Sequence, residues 1–257
     1  MFGAIVGDIA GSTYERANFR FETCSIFAEG SQFTDDTVLT LATADHFLFG
    51  GSYTHNYRQF GRNYPRAGYG GNFIKWMISE QPEPYGSWGN GSAMRVSPIG
   101  WVAEDLDWAL EEAKRSAEPT HNHPDGIKGA QAIASAVFLA RQGSSKDFIG
   151  EYLSANFGYD LERTVEEIRK THIFDVSCEE TVPAAICAFL ESDNFEKAIR
   201  KAISIGGDSD TIACMAGAIA HAFYREIPKW MEDYCWKVLD PTQQSIITDF
   251  WDRYPQA

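Results

Sequence analysis

The 257-residue chain carries a formal charge of −14 at pH 7, with 44% hydrophobic and 14% aromatic residues, enough apolar sequence for one globular domain over residues 1–257. The acidic balance excludes a generic nucleic-acid or anionic-membrane surface, because both need clustered Lys and Arg. The longest apolar run is shorter than the ~20 residues of a membrane span, no basic leader opens the chain, and five cysteines without a CxxC pair read as reduced thiols of a cytoplasmic protein.

The first predicted element is a helix with Gly3, Gly7 and Gly11 at i, i+4 and i+8, which bares one face for close approach by another helix. A glycine costs about 1 kcal/mol relative to alanine inside a helix, so three in register point to packing or a ligand. Asp8 and Glu15 lie on this segment, and an irregular polar stretch follows to Gln32. Thr34-Asp35-Asp36-Thr37 then opens an apolar helix over Val38 to Phe49 that stops at Gly50-Gly51. Read alone, this cluster suits a helix N-cap with acidic first-turn residues.

Two glycine-rich stretches come next, Ala67-Gly68-Tyr69-Gly70-Gly71-Asn72 and Gly86-Ser87-Trp88-Gly89-Asn90-Gly91-Ser92-Ala93-Met94-Arg95. Read bare, they are turns. Their small residues also let backbone N–H groups approach a phosphate, with Tyr69, Trp88 and Met94 able to pack on a flat base. Neither is a GxGxxG or P-loop pattern, and no strand precedes them. An amphipathic helix marked by Leu106, Ala109, Leu110, Ala113 and Ala117 ends near Pro119. The turn Thr120-His121-Asn122-His123-Pro124 follows and opens a helix over Ile127 to Arg141. A lone HxH with no further Cys or His nearby is a poor zinc site, so a ligand hydrogen bond from one histidine is the better reading.

At least three helical patterns fill Lys146 to Leu190, the last of them Glu179 to Leu190 with Pro183 in its first turn. Phe195, Ala198, Ile199, Ala202 and Ile203 give a clear apolar face that ends at Gly206-Gly207. Asp208-Ser209-Asp210-Thr211 comes at once, followed by Ile212 to Tyr224 without one charge, a helix that must be buried. Pro228 and Pro241 start two more helices rich in Trp and Phe. With no lasting β alternation, the fold class is all-α.

Two Asp and Thr clusters, each at the mouth of an apolar helix, make an all-oxygen donor set that selects hard cations such as Mg2+, Mn2+ or Ca2+. Four carboxylates in one pocket repel one another, and two divalent ions would relieve that better than one.

Five blocks together resemble the ADP-ribosylglycohydrolase family, in the family's order. They are Gly7-Asp8 with Gly11 and Glu15, Thr34 to Thr37, Gly89 to Arg95, Thr120 to Pro124, and Gly207 to Thr211. The resemblance implies an orthogonal all-α fold with two Mg2+ or Mn2+ ions held by Thr34, Asp35, Asp36, Asp208, Asp210 and Thr211. It implies that Gly89, Asn90, Gly91, Ser92 and Met94 hold the diphosphate and adenosine side, with a contact from His121. Gly68, Gly70 and Gly71 would line the distal ribose, and Asp8 would support the ligand residues. The implied reaction is hydrolysis between ADP-ribose and an acceptor, with Glu15, Asp35 or Asp208 as the carboxylate that positions water or takes its proton. The acceptor expected first is arginine on a protein, with serine-linked ADP-ribose or a small ester as alternatives. Two other classes stay open: a non-catalytic ADP-ribose-binding module and a metal-dependent phosphohydrolase.

Overall fold

A computed structural model describes residues 1–15 and 19–255, so residues 16–18 of the irregular stretch lie outside it. The described residues form fourteen α-helices and no strand, in agreement with the all-α expectation. No helix among them is long and apolar enough to cross a membrane.

The organising element is α12 (Ser209–Tyr224), buried over every residue from Ser209 to Ala222. Past Asp210 it carries no charge and tolerates neighbours on all sides, and α1 (Phe2–Gly11), α7 (Pro124–Arg141), α10 (Cys178–Leu190) and α11 (Phe195–Ile205) supply them. The glycine register explains the closest of these contacts. A Cβ at Gly7 would sit 2.0 Å from the Ala213 carbonyl oxygen, and one at Gly11 would sit 2.4 Å from that of Ser209. The two helices therefore pack backbone to backbone, and the C-terminus of α1 lies on the N-terminus of α12.

Helix α2 (Asp35–Phe49) packs on α1, on α3 (Tyr53–Asn63) and on α14 (Pro241–Arg253). Thr34 is its N-cap, with extended backbone and a hydroxyl that accepts the Asp36 N–H at 3.3 Å. Both cluster helices start three residues earlier than their apolar runs: α2 at Asp35, α12 at Ser209. Asp35, Asp36 and Asp210 thus stand in a first turn and Asp208 at the N-cap position, where the helix dipole favours them.

Other elements are α4 (Gly71–Ile78), α5 (Ser97–Val102), α6 (Leu106–Ala117), α8 (Lys146–Phe157), α9 (Val165–Thr171) and α13 (Lys229–Val238). The sequence did not announce α3, α4 or α5. The buried face of α3 is Tyr53, Asn56, Tyr57, Phe60 and Gly61, which carries no aliphatic stripe. Pro183 lies deeper than expected, because α10 begins at Cys178 and runs on through the proline. Its missing N–H leaves the carbonyl of Glu179, an exposed residue, for water to pair. All five cysteines are free and buried.

Candidate metal centre and binding cavity

The two acidic clusters meet. Thr34, Asp35 and Asp36 from the start of α2, and Asp208, Asp210 and Thr211 from the start of α12, line one cavity of about 530 Å³. Glu15, just past α1, lines it too.

Asp8, inside α1, is the anchor beneath them. Its Oδ1 accepts the Thr34 hydroxyl at 2.7 Å, while its Oδ2 accepts the Thr34 N–H at 2.9 Å, the Thr37 N–H at 3.1 Å and the Thr37 hydroxyl at 2.5 Å. One buried carboxylate thus fixes the entry to α2. Carboxylate oxygens of Asp8, Asp36 and Asp210 lie within 4.8 Å of one another. Of these, Asp8 is already saturated by donors. Asp36 is not: its Oδ2 accepts the Thr211 hydroxyl at 3.1 Å, but its Oδ1 is buried and has no partner. A buried oxygen with no donor, among other carboxylates, suits a hard cation.

The electrostatics agree. Burial first, and then neighbouring carboxylates, push Asp35, Asp36 and Asp208 well above the usual carboxylate range. Burial and then Asp210 raise Asp8 to about 7, despite its four donors. Burial raises Asp210 as well. Glu15 adds to the load on Asp35 and Asp208. Simple capping fails for the second cluster, because Asp208 makes no side-chain capping bond and its Oδ2 instead accepts Asn90 Nδ2 at 2.6 Å.

That Asn90 contact ties the acidic end to the glycine-rich wall. Gly89, Gly91, Met94 and His121 line the cavity with Asn90, and so do Gly68, Gly70 and Gly71. The Asp35 N–H donates to the Ala67 carbonyl at 2.7 Å, which draws that loop against α2. Gly68 has φ +105°, a conformation that favours glycine, and a Cβ there would stand 3.4 Å from Asp35 Oδ1. The Asn90 N–H donates to the Val176 carbonyl at 2.8 Å, pinning the Gly89 loop to the segment before α10.

Two expected residues are placed elsewhere. Ser92 does not line the cavity, since its hydroxyl donates to the Gly126 carbonyl at 2.7 Å behind the wall. Tyr69 turns inward to stack on Phe73 at 5.1 Å, whereas Trp88 and Met94 do line the cavity. His123 caps α7, leaving His121 as the histidine at the site. Asn72 and Arg95, the last residues of the two glycine-rich stretches, line the cavity too, whereas Tyr85 and Val176 were not singled out in the sequence because each arrives through long-range packing.

The whole architecture has a counterpart among solved structures. An "ADP-ribosylglycohydrolase-related protein complex" superposes with a TM-score of 0.70 at 23% identity, covering 99% of this chain and 96% of that one. The chain belongs to the ADP-ribosylglycohydrolase family, whose model it matches over residues 1–254. Among curated relatives, ADP-ribosylhydrolase ARH3 of Gallus gallus is 29% identical over 91% of this chain and 87% of that one. ARH3 of Homo sapiens is 27% identical over 91% of this chain and 87% of that one. ADP-ribosylarginine hydrolase Tri1 of Pseudomonas putida (strain GB-1) is 25% identical over 100% of this chain and 78% of that one.

Proposed function

We propose that this protein hydrolyses the bond between ADP-ribose and an acceptor, and that it does so with two bound Mg2+ or Mn2+ ions. The observation that carries the reading is the convergence of four aspartates from the starts of α2 and α12, including the partnerless Asp36 Oδ1, on a cavity also lined by two glycine-rich loops. Thr34, Asp35, Asp36, Asp208, Asp210 and Thr211 would hold the ions. The ions would supply charge neutralisation and Lewis acidity at the ribose hydroxyls.

The remaining work falls to the chain itself. Gly89, Asn90, Gly91 and Met94, with the His121 ring, line the cavity and would hold the diphosphate and adenosine, backbone amides being the means by which so acidic a protein holds an anion. Gly68, Gly70 and Gly71 leave room for the distal ribose. Water attacks the anomeric carbon as the bond to the acceptor atom breaks, through an oxocarbenium-like transition state. A carboxylate, Glu15, Asp35 or Asp208, takes the proton that water releases, and the departing acceptor atom takes up a proton in its turn, so that water is divided between ADP-ribose and acceptor.

Arginine on a protein is the acceptor we favour, supported by the match to an ADP-ribosylarginine hydrolase, Tri1, over the whole of this chain and 78% of that one. The name of the ARH3 relatives specifies no acceptor, so serine- or ester-linked ADP-ribose stays as the second reading. The deciding experiment is mass spectrometry of products from arginine-, serine- and ester-linked ADP-ribose with Mg2+, Mn2+ or chelator. Release of intact ADP-ribose that needs a divalent ion is the expected result. Free phosphate would point to a phosphohydrolase, and tight ADP-ribose binding without turnover to a binding module.

A further inference from the structure

Behind the glycine-rich wall lies a buried cation that the proposed chemistry does not use. Arg95 is fully buried, although it lines the cavity, and among the described residues it pairs with no carboxylate. Its Cζ sits 4.0 Å from the centroid of the Tyr57 ring, and its Nε and Nη1 groups have no hydrogen-bond partner. Only Nη2 is engaged, donating to the Ser116 carbonyl and to Thr120 Oγ1, both at 2.9 Å.

Thr120 is also fully buried, and its Oγ1 lies 2.7 Å from His121 Nδ1. Guanidinium groups only donate. Thr120 Oγ1 must therefore accept from Arg95, which leaves its own single proton to be placed. The nearby ring nitrogen is the acceptor on hand. If Nδ1 carried a proton instead, the buried threonine hydroxyl would be left with no acceptor among its hydrogen-bond contacts. The arrangement that satisfies every group runs from Arg95 Nη2–H to Thr120 Oγ1, and from the Thr120 O–H to His121 Nδ1. Burial and the Arg95 charge both hold the imidazole neutral, so its one proton sits on Nε2. That nitrogen faces the binding loop: a Cβ on Gly91 would lie 3.1 Å from it, and one on Gly89 3.8 Å.

We propose that Arg95 and Thr120 are positioning residues that lock His121 in its Nε2–H form, so that the ring donates a hydrogen bond to an anionic oxygen of the ligand. The ligand part rests on the proposed function, with a diphosphate oxygen as the acceptor; the tautomer does not. The Arg95 charge adds a local positive field behind that donor in a protein of net charge −14.

The test is long-range nitrogen–proton NMR on the ring nitrogens of His121, in the wild type and in Thr120→Val and Thr120→Ser. The wild type, without any ligand, is expected to show a protonated Nε2 and a bare Nδ1 from neutral to mildly acidic pH. Thr120→Val should mix the two tautomers and weaken ADP-ribose binding roughly tenfold, the loss of one well-aimed donor to a charged oxygen. Thr120→Ser should restore both. A wild-type ring protonated on Nδ1, or a Thr120→Val protein that folds and keeps the wild-type tautomer, overturns the proposal. The wild-type spectrum decides even if the valine variant does not fold. A wild type with the Nε2–H ring that fails to bind ADP-ribose upholds the relay and removes the proposed function instead.

Discussion

At the scale of single residues, Asp36 and Asp8 look alike in burial but differ in what surrounds them. Asp36 has an oxygen with no donor, so Asp36→Asn should abolish cation-dependent activity, by at least ~100-fold. In chelator the same change should raise the thermal midpoint by roughly 2 °C or more, because one of several crowded carboxylates is gone. Calorimetry with and without the ion reads both effects. A fall in the midpoint in chelator would show that Asp36 serves the fold and not a cation. Asp8→Asn should behave oppositely, since an amide N–H would face one of the four donors that now converge on the carboxylate. A loss of about 2 kcal/mol in urea unfolding is expected, with or without metal. Much of this was legible in the sequence: Asp35, Asp36, Asp208 and Asp210 stand out as more oxygen than any cap needs. The anchoring by Asp8 was less so, and Arg95 stood out only as the end of a glycine-rich block and not for its contacts, because their partners are 26 or 29 residues away for Asp8 and 21 or 25 for Arg95.

Among the elements, the pairing of α1 with α12 sets the site's position. Gly7→Ala would drive a methyl group into the Ala213 carbonyl, a backbone atom that cannot step aside. We expect at least ~2 kcal/mol of destabilisation in a denaturant titration. Gly70→Ala is the control, since nothing lies within 4 Å of a Cβ there and φ is −59°. Equal stability of the two variants would mean that the helices can separate without cost. Both helices were legible, α1 from its glycine register and α12 from its uncharged run. Helix α3 was not, because an apolar face built from Tyr53, Tyr57 and Phe60 with a buried Asn56 does not look like one until its neighbours are present.

For the whole molecule, the acid cluster makes stability depend jointly on pH and cation. The folded pKa of Asp8 is raised from 3.8 to about 7, and those of Asp35, Asp36 and Asp208 are raised too. A raised carboxylate contributes stability fully below its unfolded value, and that contribution is lost as pH climbs through the folded value. Buried His121, with its pKa lowered, works the other way: its contribution is present at neutral pH and lost as pH falls. Burial and Arg95, not the acid cluster, lower His121, so comparing chelated with Mg2+- or Mn2+-loaded protein cancels its share. The gap between their thermal midpoints should widen steadily from pH 5 to pH 8, as protons stop competing for the same oxygens. A gap that does not change with pH would place the cation elsewhere.

The glycine seam between α1 and α12 has one more consequence, for the order in which the molecule comes apart. Most proteins place their reactive groups on loops that open easily. Here Asp208 and Asp210 stand where Gly11 abuts the first turn of a helix buried along nearly its whole length. Amide exchange in the first turns of α12 should therefore be as slow as global unfolding allows, while the exposed loop around Trp88 exchanges much sooner. The acidic part of the cavity would then persist as long as the fold itself, and the loop around Trp88 would be the part that opens to admit and release what binds there.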